Sequence, residues 1–150
     1  MENQNLKFDF VFLGQSVLKY QVPLDIFTTI NQIYEQNFHN LAPANGQLVG
    51  KIENEHSLFY HGADQTKMKN HNMLPRNVTD YFMTVFKHYL AFNKIKDYET
   101  HLNSIWVNEM KQHEYNPAHV HRGMLFTGLS SVMILKLPST FGKEYSADEV

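Results

Sequence analysis

Residues 77–93 carry Val78, Tyr81, Phe82, Val85, Phe86, Tyr89 and Leu90 at spacings of three and four along the chain. Residues that recur this way share one side of an α-helix, because 3.6 residues complete a turn. The spacing predicts an aromatic-rich amphipathic helix from about Asn77 to Asn93, with Pro75 just ahead of it as a start signal. A second stripe, Ile26, Phe27, Ile30, Ile33 and Tyr34, predicts a helix opened by Pro23 and running to about Asn37. Stripes of this kind face a core far more often than they line a groove, so Phe82, Phe86 and Tyr89 are expected to pack on a sheet.

The rest of the chain supplies that sheet. Phe8 to Leu13 and Ser16 to Val22 read as short strands around a turn at Gly14, mixing aliphatic, aromatic and β-branched residues. Phe38 to Leu74 is polar and rich in Asn, Gly and His; within it Gln47 to Ile52 reads as a short strand after the Asn45-Gly46 turn. His56, His61 and His71 lie in this stretch at spacings that match no compact metal motif, which makes them surface or substrate-loop residues. Leu102 to Met110 turns back to strand. Thr127 to Leu137 is a nearly continuous apolar run of the kind a buried strand shows, ended by Pro138. The order of elements predicts an α+β fold with both helices packed outside a jelly-roll-like sheet.

Composition narrows the function classes. With 150 residues, 43% of them hydrophobic, the chain can bury one ordinary core, and residues 1–150 read as a single domain. The absence of cysteine excludes a disulfide framework and a Cys-based zinc site. No signal sequence or bilayer-length apolar run is visible, so the expectation is a soluble, cytoplasmic protein without a membrane partner. A net charge of −2 gives no electrostatic reason to bind nucleic acid, and no basic face interleaved with aromatics is apparent.

The chemistry concentrates in Asn116-Pro117-Ala118-His119-Val120-His121. Imidazoles at i and i+2 of an extended backbone point to one face, so His119 and His121 can approach one ion at roughly the 2.0–2.1 Å of imidazole sites. Neutral imidazole is the commonest ligand for iron, zinc, copper and nickel. A chance pairing of two of the nine histidines in a polar loop is the competing explanation. Upstream, Trp106 and Asn108 share a strand face by the period of two. Trp106, the only tryptophan, can serve as a core residue or stack on a substrate; an amide such as Asn108 in an apolar strand needs a partner when buried. Tyr115 and Asn116 read as loop-positioning residues, and Arg122 points away from His121.

In order and spacing, Trp106 and Asn108, the polar loop with His113 and Glu114, the Asn116–His121 motif and the apolar run closed by Pro138 resemble a segment of the Fe(II)- and 2-oxoglutarate-dependent oxygenase superfamily. The likeness is greatest to the small oxygenases common in marine phage and bacterial genomes, and Leu41 to Ile52 is loosely similar to a segment that precedes their barrel. The resemblance implies a double-stranded β-helix whose mouth holds Fe(II) on His119 and His121, with 2-oxoglutarate as co-substrate near Asn108 and Trp106 and a hydroxylated substrate of unknown identity. Two departures follow from the residues. His121 stands where most members of the superfamily carry a carboxylate, and no histidine follows it to serve as the distal ligand, nor is there a convincing basic anchor for 2-oxoglutarate. The expectation is therefore a C-terminally incomplete barrel whose open strand edges pair with a second copy or are covered by the tail. His113 and Glu114 are the next candidates for a further ligand. A non-catalytic binding or assembly protein of phage origin on the same scaffold is the first alternative. A cupin-type metalloprotein is the second, although residues 122–132 lack the carboxylate it would want.

Overall fold

The computed structural model describes residues 6–12, 16–44, 50–61, 72–117, 119, 128–139 and 141. They belong to two separate units, Met1–Val120 and His121–Val150.

The first unit begins with an antiparallel hairpin of β1 (Phe8–Phe12) and β2 (Ser16–Tyr20), in register from Phe8 opposite Tyr20 to Phe12 opposite Ser16. Helix α1 (Leu24–Asn37) follows Pro23, whose carbonyl accepts the Phe27 N–H, and buries Ile26 and Ile30. A single 3-10 turn, Phe38–Asn40, ends it. Strand β3 (Asn54–Tyr60) comes next, then helix α2 (Arg76–Phe92) behind Pro75, and β4 (Ser104–Glu109). Both helices thus start at the prolines and end within a residue of the periodicity limits.

Helix α2 joins the hairpin to α1. Its buried residues are Val78, Tyr81, Val85 and Leu90, while Phe82 and Phe86 are half-buried on the flank. Tyr89 donates its hydroxyl to the Ser16 carbonyl at 2.9 Å, and the Ser16 hydroxyl donates to the Asn93 side chain. The Tyr20 hydroxyl lies 2.7 Å from Nδ1 of His88, with Phe8 packed edge-on to the same imidazole. Burial, then the neighbouring Tyr81 and Tyr89, push Tyr20 up to about 12.

Strand β3 is bonded on both sides. One edge pairs antiparallel with β4; the other takes Pro43 opposite His56 and Asn72 opposite Phe59. Leu58 is an extra residue between the Ser57–Trp106 and Phe59–Ile105 pairs, a β-bulge that places two successive buried side chains at positions 57 and 58. Leu58 and Val78 are fully buried and, with Ile26, Ile30, Leu41, Ile52, Tyr81, Val85 and Leu90, make the core.

The double-stranded β-helix expected from the sequence, a partial jelly-roll-like barrel with two outer helices, is not what these residues form. The described residues build two antiparallel sheets of two strands each and two helices, with no closed barrel. The apolar run is the reason: residues 128–137 join no ladder, and Leu129, Val132, Ile134 and Leu137 are exposed, Val132 at 87%. A barrel wall needs that run paired on both edges and buried on one face. Of the short strand expected at Gln47 to Ile52, residues 47–49 lie outside the described residues, and Lys51 forms a single bridge to Tyr115. In the second unit, Phe141 donates its N–H to the Pro138 carbonyl at 2.9 Å, closing a turn at the end of the run. No helix among the described residues is long and apolar enough to cross a membrane.

Candidate functional site

The β3–β4 register decides which side chains meet. Glu55 lies opposite Asn108 and Ser57 opposite Trp106, so these four share one face; Asn54, His56, Val107 and Glu109 take the other. Trp106 and Asn108 thus share a face as the period of two requires. Between them stand a carboxylate and a hydroxyl that the sequence did not single out.

Glu55 is the unusual member. It is only 5% exposed, and none of the ion pairs among the described residues involves it. Burial raises its carboxyl above the usual carboxylate range, opposed by a hydrogen bond from the Asn108 side chain and by the charge of His119. A carboxylate accepts, so the Asn108 amide N–H is the donor. The Asn108 Oδ1 is buried without a partner, consistent with the amide being turned toward Glu55.

His119 reaches this neighbourhood through the loop after β4. Lys51 and Tyr115 exchange two backbone bonds, at 2.8 and 3.0 Å, docking the loop on the residues that lead into β3. Glu114 closes the turn: its carboxylate accepts the backbone N–H groups of Glu53 at 2.9 Å and Lys111 at 2.7 Å, which lowers its pKa. His113 occupies the left-handed region at φ 68° inside the same turn. Both residues considered as reserve ligands are therefore turn-builders here. Lys111 pairs with Glu53 at 3.1 Å on the exposed side. Two residues past this anchor, Nδ1 of the exposed His119 lies 2.7 Å from the Pro117 carbonyl. A carbonyl only accepts, so Nδ1 is the donor in this contact.

His121 and Arg122 lie outside the described residues. Among those described, no three His, Asp or Glu side chains are grouped to hold a metal ion. The opposite face holds a different set. His56, half-buried, stacks among Phe38 and Tyr34, with ring centroids 4.7 and 6.2 Å away, and burial lowers its pKa against the pull of Glu109. Tyr34 is pushed up to about 12, first by burial and then by Glu109. His56 is thus a sheet residue under α1, contrary to its expected place in a surface loop. His61 and His101 stack at 5.7 Å on the surface, with His101 paired to Glu99 at 3.2 Å.

Two open depressions lie elsewhere in the first unit. One, of about 370 Å³, runs along the hairpin at Lys7, Asp9, Lys19 and Gln21; the other, of about 550 Å³, lies between the starts of the helices at Pro23, Asp25, Asn77 and Asp80. Neither is lined by Phe82, Phe86 or Tyr89, in keeping with a packing role for that stripe.

Glu55 is what sequence reasoning missed. Asn54-Glu55-His56-Ser57 has no hydrophobic alternation, so it does not read as a strand. The one available signal was the Leu58-Phe59-Tyr60 run immediately after it, from which a period of two counted backwards puts Ser57 and Glu55 on one face. No family model, curated protein or solved structure matches the chain.

Proposed function

We propose that this chain binds Fe(II) and 2-oxoglutarate and takes part in hydroxylating a substrate, with His119 as a metal ligand of the Asn116–His121 motif. The observation that carries the reading is the contact between Nδ1 of His119 and the Pro117 carbonyl. A ring nitrogen held by a backbone carbonyl is an arrangement that metal-binding imidazoles commonly share. The donor types are those such a site uses: an imidazole at His119 and a buried carboxylate at Glu55 on the Asn108–Trp106 face. When bound, Fe(II) and 2-oxoglutarate would let O2 hydroxylate a C–H bond, one oxygen atom entering the substrate and the other entering succinate as 2-oxoglutarate loses CO2.

The chain's own residues would hold and orient the reactants. His119 ligates through Nε2, with His121 as the second imidazole that the sequence pattern supplies. Asn108 commits one amide N–H to Glu55, and the second N–H of that group is the donor for a co-substrate carboxylate. Trp106, 37% exposed on the same face, offers a flat apolar surface to a substrate or co-substrate. The reading rests on this donor set and on the sequence pattern and asks for no barrel. A cytoplasmic location, where Fe(II) stays reduced, belongs to it, as does association of copies through open strand edges.

Titrating the full chain with Mn(II), a redox-inert stand-in for Fe(II), tests the proposal. Mn(II) should bind, 2-oxoglutarate should tighten it, and His119→Ala should weaken it; with Fe(II), succinate should form from 2-oxoglutarate. A wild-type chain that binds no Mn(II) would leave the non-catalytic binding protein as the better reading.

A further inference from the structure

We propose that the cleft between the first turns of α1 and α2 binds a small organic ammonium ion, its apolar body lying on Ile26 and Leu6 and its N–H donors reaching Asp25, Asp80 and the Tyr81 hydroxyl. The cleft shares no lining residue with the Trp106–Asn108 face or with His119.

Tyr81 supplies an orphaned hydroxyl. The residue is 7% exposed and lines the cleft, and its hydroxyl is buried with no hydrogen-bond partner among the described residues. Burial also raises its pKa, so the phenol stays neutral and offers a lone pair as well as a proton. A buried hydroxyl left unbonded costs stability, and a ligand that bonds to it recovers that cost. Thr84, one turn further along the same side of α2, is already committed, donating its hydroxyl to the Asp80 carbonyl at 2.8 Å.

The shape suits a small molecule with an apolar body. The cleft holds about 550 Å³, within the range of small-molecule sites. Its floor is built by Ile26, 5% exposed, by the Tyr81 ring and by half-buried Leu6, while Asp25 and Asp80 stand exposed on the rim. Helical spacing produces this division on the α2 side: Asp80 and Tyr81 are adjacent, and only the second faces inward enough to be buried.

Charge decides the ligand class. No Lys, Arg or His lines the cleft, and none of the ion pairs among the described residues involves Asp25. Asp80 pairs with Arg76 at 3.4 Å, but both side chains are largely exposed, so a second cation can compete at little cost. An anion entering the cleft would meet two carboxylates. An ammonium meets two acceptors at the mouth and a third, the phenol oxygen, below them.

Titrating the isotope-labelled full-length chain with phenethylamine, and separately with phenylpropionate, tests the assignment through the backbone amide resonances. The two probes share a ring and a two-carbon chain and differ in the sign of the terminal charge. Phenethylamine should shift amides of residues 24–27 and 77–84 saturably, and phenylpropionate should not. Asp25→Asn should weaken phenethylamine by about two- to fivefold, as for an exposed charge pair. Tyr81→Phe should weaken it by about tenfold or more, the worth of a hydrogen bond to a charged group. Without the probe, Tyr81→Phe should melt at or above the wild-type Tm, because it removes a hydroxyl that the fold leaves unbonded. Equal shifts from the two probes, no saturable shift from phenethylamine, unchanged affinity in Tyr81→Phe, or a lowered Tm in that variant would each overturn the proposal.

Discussion

Gly50 has no room for a side chain beneath Pro117: a Cβ at position 50 would lie 2.8 Å from Cδ of Pro117 and 3.0 Å from Cα of Asn116, and would collide with the Tyr115 carbonyl. Two of these three contacts are with backbone atoms, which cannot swing aside. Gly50→Ala should therefore push the 115–117 stretch off the sheet, at a cost of about 1–3 kcal/mol typical of overpacking. Urea denaturation measures the loss. Because His119 hangs from this stretch, Mn(II) binding should weaken in the same variant.

The buried carboxyl of Glu55 gives a pH signature in the metal-free chain. Its pKa is raised on folding, so the folded state holds that proton more tightly than the unfolded chain does. Its contribution to stability is complete below the ordinary carboxylate pKa and is lost as pH rises through the folded value. Glu55→Gln cannot undergo that loss. Thermal melts should show little difference between variant and wild type near pH 4 and a variant several degrees more stable at pH 8; a variant less stable at pH 8 would contradict the burial argument.

Tyr20 and Tyr34, both pushed up to about 12, should be late in an alkaline titration of the eight tyrosines followed by phenolate absorbance. The sign is that of a raised acid: their share of stability is intact below pH 10 and disappears as pH climbs through about 12. Tyr20→Phe should remove one late phenolate and leave the His88 imidazole short of its hydrogen-bond partner, costing about 1–3 kcal/mol.

Leu58→Ala should be among the most damaging core substitutions, at about 2–5 kcal/mol for a fully buried leucine. The bulged residue's carbonyl accepts the Met73 N–H at 2.9 Å, which limits the backbone's freedom to close the cavity. Chemical denaturation gives the value directly.

The helices were legible because their signal is local. Ile26, Ile30, Val78 and Val85 declare one face each through nearest-turn spacing, and proline marks both starts. Strand β3 was not legible, since Glu55 and Ser57 are buried polar residues and the bulge at Leu58 breaks what alternation remains. Residues 128–137 misled in the opposite direction. A run of apolar side chains states a preference for burial, but pairing depends on a partner edge that the run itself does not encode. At the site, the shared face of Trp106 and Asn108 was legible from the period of two, whereas their neighbour Glu55 depended on the pairing of strands separated by all of α2.

That separation has a kinetic consequence. The β1–β2 hairpin and both helices can form from neighbouring residues, whereas β3 must wait for β4 to return from the far side of α2, and loop closure over such a distance delays pairing. Amides of β3 and β4 should accordingly gain hydrogen-exchange protection after those of α2. A change that strengthens or weakens the β3–β4 contact would then alter the rate of escape from the native state and leave the rate of reaching it nearly unchanged.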